Sequence, residues 1–176
     1  MKKTMPKLIP VITEEEIKEQ ISRVAKEISK DYEDKKLILI GVLKGSFIFT
    51  ADLSRSLSIP NQVDFVGASS YGSNTSTSGE VTITKDVGLD LEGKHVLVLE
   101  DIVDTGLTLI RIIDYLKKFN PESVKICALL NKHERRTADI TVDYECFAIP
   151  KGFLVGYGLD YAEDYRNLPA IFNLEE

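Results

Sequence analysis

Cysteine is nearly absent from this chain: two occur in 176 residues, Cys127 in VKICALL and Cys146 in YECFAIP. Neither has the spacing of a metal knuckle or a redox pair, so both are read as buried, reduced thiols. Long hydrophobic runs are lacking too. Nowhere do eighteen apolar residues stand together, and no apolar run of signal-peptide length follows Met1-Lys2-Lys3, so no membrane partner and a soluble, cytoplasmic protein are expected. Positive charge is in deficit, with 22 bases against 28 acids and a formal charge of −6. That is the wrong sign for a broad nucleic-acid footprint. Gly41 to Gly45 gives no GxGxxG, which counts against a dinucleotide-binding dehydrogenase. His95 and His133 have no partner pattern, and neither is assigned a catalytic role.

What is present is enough apolar residue, 43% of the chain, to bury one sizeable core, so a single domain over residues 1–176 is expected. Helical and strand patterns alternate without an internal repeat, the mark of an α/β domain. Thr13 and Glu16 form a capping box, and Ile17, Ile21, Val24, Ala25 and Ile28 recur at helical spacing to about residue 30. Leu37 to Val42 reads as a strand, Ser46 to Leu57 as a helix and Val63 to Ser69 as a strand. A further helix runs from about Gly106 to Phe119, with Leu109, Ile110, Ile113 and Leu116 inward. Strands near 123–130, 140–149 and 153–157 complete the pattern.

The stretch Val96 to Thr108, VLVLEDIVDTGLT, concentrates the chemistry. Val96 to Leu99 is apolar without alternation, as in a parallel strand covered on both faces. Glu100 and Asp101 then fall at its carboxyl end, where open α/β sheets bind ligands. Acids often end strands merely by facing water, but Asp104 brings a third carboxylate within five residues. Such acids repel unless a hard cation, here magnesium, or a polyhydroxyl ligand satisfies them. Thr105, Gly106 and Thr108 let backbone approach a phosphate at a helix start. Leu43-Lys44-Gly45-Ser46 ends another strand at another helix start. Alone, it reads as a capping loop with a solvated lysine rather than as a binding loop. Ser69 to Gly79, SSYGSNTSTSG, is a polar loop long enough to suspect a lid.

VLVLEDIVDTGLT resembles the diphosphate-sugar signature of type I phosphoribosyltransferases, and FLVGYGLDY from Phe153 resembles a segment of the members that use 6-oxopurines, the hypoxanthine-guanine phosphoribosyltransferases. The resemblance covers about residues 8 to 173. It implies a mostly parallel central sheet flanked by helices, a flexible flap over about 69–80, and a small hood from about 150–176 with the N-terminal segment. It further implies that Glu100 and Asp101 hold the ribose hydroxyls of phosphoribosyl pyrophosphate, and that Asp104, Thr105, Gly106, Leu107 and Thr108 wrap its 5-phosphate. Lys44 and Gly45, after a cis peptide bond, would bind pyrophosphate with Arg166, while Ser70 and Tyr71 in the flap close over the centre. Lys132 would donate to oxygen-6 of the purine, Phe153 would stack on it, and backbone near Leu154 would read the ring edge. Magnesium would be held through Glu100 and Asp101, a second magnesium would be bound by Asp160, and Asp104 would be the catalytic base.

The implied reaction joins hypoxanthine, or guanine, to ribose 5-phosphate with release of pyrophosphate. A homo-oligomer, dimer or tetramer, is expected by analogy with such proteins. Leu107 stands where many members have a polar side chain, His133 where proline is common, and Lys151-Gly152 where an acid and a charged residue are common. The first removes a side-chain contact to the phosphate and leaves the backbone contacts, and the other two touch base preference. The alternative is a related regulator that keeps the fold and binds RNA, against which the net charge and the FLVGYGLDY segment both count.

Overall fold

A computed structural model describes residues 7–70, 81–133, 136–149 and 152–175. The strands β1 (Lys7–Ile12), β2 (Leu37–Leu43), β3 (Asn61–Ser70), β4 (Val81–Lys85), β5 (His95–Val103), β6 (Ser123–Asn131), β7 (Tyr144–Ala148), β8 (Leu154–Val155) and β9 (Ile171–Glu175) form two sheets. The helices are α1 (Glu14–Asp31), α2 (Phe47–Ser56) and α3 (Leu107–Lys117). The larger sheet has the order β4-β3-β2-β5-β6-β7, parallel except for β4. The smaller, β1-β9-β8, is antiparallel.

Strand periodicity builds the core in two layers. Leu37 and Leu39 of β2 with Leu97 and Leu99 of β5 pack with α1 and α2, whereas Ile38, Ile40, Val96 and Val98 pack with α3 on the opposite face. Both faces are therefore covered, and the runs show no polar alternation. The capping box forms as the sequence predicts: Glu16 N–H donates to Thr13 Oγ1, and Thr13 N–H to Glu16 Oε2. Cys127 and Cys146 are free and buried. No helix among the described residues is long and apolar enough to cross a membrane.

Several boundaries differ from the sequence reading. On α3 the buried set is Leu109, Ile112, Ile113 and Leu116, with Ile112 in place of Ile110, because these four fall at i, i+3, i+4 and i+7 on one helix face and Ile110 does not share it. The strand near 140–149 begins at Tyr144, since Asp143 is spent on β6: its N–H donates to Ile126 O, and its carboxylate accepts Ile126 N–H. The strand near 153–157 stops at Val155 because Gly156, Tyr157 and Gly158 all take positive φ. Ser69 and Ser70 belong to β3 rather than to the loop, and residues 71–80 lie outside the described residues. Strands β1 and β9 have no sequence counterpart. Pro10 interrupts the first at a bulge opposite β9, and neither alternates cleanly in burial.

The chain leaves β2 through α2 to reach β3 on one side, and leaves β5 through α3 to reach β6 on the other. Adjacent strands with departures in opposite directions open a crevice at their carboxyl ends. Glu100, Asp101 and the turn from Asp104 to Gly106 lie there.

Candidate active site

A cavity of about 310 Å³ lies at this switch point, walled by Val42 and Leu43 of β2, Ala68 of β3 and the whole run from Glu100 to Gly106, with Thr108 and Leu109 of α3. Glu100 and Asp101 are half-buried in its floor. Burial pushes the Glu100 carboxyl well above its usual range, and the neighbouring Asp101 charge adds to the rise. Asp101 is also raised by burial, although hydrogen bonds and the Arg166 charge pull the other way. Two crowded carboxylates that resist ionising together suit a site whose ligand brings a cation or hydroxyl donors. Among the described residues no three His, Cys, Asp or Glu side chains converge to hold a metal alone. The pair instead fits magnesium, which typically takes one or two carboxylates and completes its shell with water and substrate oxygens.

The phosphate turn follows at once. Gly106 caps α3 at φ 81, and a Cβ there would come within 2.7 Å of Ile140 Cδ1, so glycine is needed both for conformation and for space. Thr105 O accepts the N–H groups of Thr137 and Ala138 at 3.1 and 3.0 Å, and Asp104 O accepts from Arg136 Nε at 3.1 Å. These bonds occupy carbonyls on the outside of the turn. Thr108 borders the cavity, while the Leu107 side chain is exposed and outside its walls.

The loop after β2 lies directly over the acids. The Leu43–Lys44 peptide is cis, as the resemblance implies. A Cβ on Gly45 would come within 1.7 Å of Asp101 Oδ2, and one on Gly158 within 2.0 Å of Gly45 O. Only glycine at both positions permits this stack of loop on carboxylate and segment on loop. Ser46 closes the turn by donating from its buried hydroxyl to Val42 O at 2.7 Å.

At the other end of the crevice, Lys132 Nζ donates to Gly152 O at 2.9 Å. Phe153 is 53% exposed and packs in a T-shape with Tyr161, with ring centroids 5.6 Å apart at 90°. An aromatic face left open beside a fixed lysine can take a flat ring. Leu154 is buried in β8. Asn173 of β9 accepts Phe153 N–H at 3.1 Å, and Leu174 N–H donates to Phe153 O at 2.9 Å, so β9 fixes the backbone on both sides of that ring.

Asp160 stands apart from the acid pair. Its Oδ1 is 3.0 Å from Arg166 Nη1, and its Oδ2 accepts Glu163 N–H at 2.9 Å. Glu100, Asp101 and Asp160 therefore form no closed three-carboxylate cluster. Arg166 Nη1 also donates to Gly158 O at 2.8 Å, tying it to the segment that touches Gly45. Ser70 ends β3 opposite Val81, and Tyr71 lies outside the described residues. Of the predicted site residues, Glu100, Asp101, Asp104, Thr105, Gly106 and Thr108 line the one cavity, Gly45 lies against Asp101, and Leu107 does not line it.

Sequence reasoning missed four residues that organise it. Arg136 braces the phosphate turn to Asn131 and Lys132, donating from Nη2 to Asn131 Oδ1 and to Lys132 O, yet in sequence it reads as one base in a surface charge run. Glu163 contacts Lys44 across 119 residues. Gly158 and Asn173 act through backbone approach and strand pairing. No local pattern signals any of these, because each has a partner remote in sequence: Asp104 for Arg136, Lys44 for Glu163, Gly45 for Gly158 and Phe153 for Asn173.

Residues 12–162 match the family model described as the phosphoribosyl transferase domain. A hypoxanthine-guanine phosphoribosyltransferase of Dictyostelium discoideum is 46% identical over 170 residues, covering 94% of each chain. A hypoxanthine phosphoribosyltransferase of Salmonella typhimurium is 46% identical over 173 residues, covering 97% of this chain and 96% of the other. In structure, the chain superposes on a hypoxanthine-guanine phosphoribosyltransferase of Bacillus anthracis with a TM-score of 0.89 at 43% identity, covering 95% and 96% of the two chains. With a family model spanning most of its length and relatives this similar, the chain belongs to the phosphoribosyl transferase domain family, beside proteins named hypoxanthine and hypoxanthine-guanine phosphoribosyltransferases.

Proposed function

We propose that this chain is a purine-salvage transferase that joins hypoxanthine, and guanine, to the ribose 5-phosphate of phosphoribosyl pyrophosphate, yielding IMP or GMP and pyrophosphate. The observation that carries the reading is the stacking of the Lys44-Gly45 loop on Asp101, within a Cβ's breadth of the carboxylate. A sugar held by its hydroxyls at Glu100 and Asp101 then has its anomeric diphosphate against Lys44 and its 5-phosphate at the α3 N-terminus.

Breaking the bond from ribose to pyrophosphate places positive charge on the ring and negative charge on the leaving oxygens. Glu100 and Asp101 would hold magnesium, with Asp160 a candidate for a second ion, and the metal would supply positive charge to offset that of the leaving group. Lys44 and Arg166 add fixed donors to the leaving group, and the acid pair orients the ribose hydroxyls. Phe153 stacks on the purine and Lys132 orients its oxygen-6, which sets nitrogen-9 toward the anomeric carbon. Asp104, at the start of the phosphate turn, accepts the proton from nitrogen-7 as nitrogen-9 attacks. Closure of the segment around Ser70 and Tyr71 would exclude water from the ribosyl cation. A cytoplasmic setting and self-association as dimer or tetramer go with this reading.

Nucleotide formation from phosphoribosyl pyrophosphate and magnesium, measured in parallel with hypoxanthine, guanine, xanthine, adenine and uracil, tests it. Product with 6-oxopurines alone is the expected result. A folded protein that binds the diphosphate sugar and forms product with no base would instead favour the RNA-binding alternative.

A further inference from the structure

One oxygen, Oε2 of Glu163, sits 3.0 Å from Lys44 Nζ and 3.2 Å from Arg166 Nη2. These are the two cations assigned above to the diphosphate. The chain thus places a carboxylate between the groups that receive an anion. The position is specific in its making: Glu163 adopts φ 70, flanked by Ala162 at φ 52 and followed by Tyr165 at φ 75, all in the left-handed region that side chains disfavour. Asp160 holds the turn by accepting Glu163 N–H and also engages Arg166 Nη1. Both Lys44 and Glu163 are about two-thirds exposed at their side chains, 66% and 65%. A pair so wet is weak and exchangeable.

We propose that Glu163 is an internal counter-anion that occupies the diphosphate position in the ligand-free protein and must be displaced when phosphoribosyl pyrophosphate or pyrophosphate binds. It rests on the reading of the site given above. Glu163 then sets the affinity for the diphosphate end of the substrate and has no part in the transfer step. An oxygen bridging Lys44 and Arg166 also keeps two like charges together in the open crevice, which a site that turns over must be able to restore after pyrophosphate leaves.

Calorimetric titration of inorganic pyrophosphate with magnesium into wild type, Glu163→Gln, Lys44→Ala and Glu163→Gln/Lys44→Ala, alongside steady-state kinetics, tests the assignment. Glu163→Gln keeps the shape and removes the charge. It is expected to bind pyrophosphate about 1.5–5-fold more tightly, the range of an exposed ion pair removed from competition, and to lower KM for phosphoribosyl pyrophosphate while KM for the base is unchanged. The gain is expected to be smaller when the double variant is compared with Lys44→Ala alone, since Lys44 is one of the two cations released and Arg166 remains the other. Equal or weaker pyrophosphate binding by a Glu163→Gln protein of wild-type melting temperature would show that Glu163 only props the cations in place, and overturns the proposal. A Glu163→Gln protein that melts earlier and binds no tighter overturns it as well. If wild type neither binds pyrophosphate nor forms nucleotide, the functional reading falls and this assignment with it.

Discussion

Asp104 differs from its two acidic neighbours in what surrounds it. Glu100 and Asp101 share the cleft floor and perturb each other, whereas Asp104 begins the turn and has its backbone carbonyl pinned by Arg136. A base must hold one position while a proton arrives, and that brace supplies the fixity. Asp104→Asn is expected to reduce kcat by roughly 10²–10⁴-fold, the range for loss of a general base, with little change in melting temperature. Unaltered kcat would remove Asp104 from the role. At this scale the sequence was legible wherever chemistry is compressed into one turn: the run from Val96 to Thr108 announces strand, acids and phosphate loop together. It was silent where a residue works through a distant partner. Arg136 and Glu163 are one base and one acid among 22 and 28, and nothing local separates them from solvated charge.

Elements with a strong period were readable, and elements that exist only by pairing were not. Helix α1 shows its buried stripe and its capping box in the sequence, and β2 and β5 show continuous apolar runs because both of their faces are covered. Strands β1 and β9 have no core of their own to declare. Their registers, Lys7 against Glu175 through Ile12 against Ile171, come from backbone bonding between segments far apart in the chain. Strand β9 nevertheless reaches the crevice, because Asn173 accepts Phe153 N–H. Asn173→Ala is expected to free the Phe153 backbone at a cost of about 1 kcal/mol, which appears as a several-fold rise in KM for the purine with KM for phosphoribosyl pyrophosphate unmoved. Parallel changes in both constants would mean that β9 supports the whole cleft and not the ring alone.

Across the whole molecule, acid stability has an identifiable contributor away from the crevice. Asp64 of β3 is partly buried, which pushes its carboxyl up, but the N–H groups of Phe65, Gly88 and Leu89 and the Lys85 ammonium outweigh burial and leave it below its usual 3.8. A carboxyl lowered on folding binds fewer protons in the native state. Its stabilisation is present in full above the unfolded pKa and is lost as pH falls through the lower folded value. Asp64→Asn is expected to destabilise the protein by about 1–2 kcal/mol at neutral pH, read as a lower midpoint in urea. The gap to wild type should close as pH drops below about 3.8. A gap that persists unchanged in acid would trace the loss to packing rather than charge.

The smaller sheet joins the segment at residue 7 to the segment at residue 175, and its last strand grips Phe153. During synthesis on a ribosome the larger sheet has all its strands once Ala148 has emerged, while the purine end must wait for Asn173. A nascent chain can therefore assemble its acid pair and phosphate turn before its base side, and a truncated product lacking the final strand would carry them without the Asn173 and Leu174 bonds that fix the Phe153 backbone.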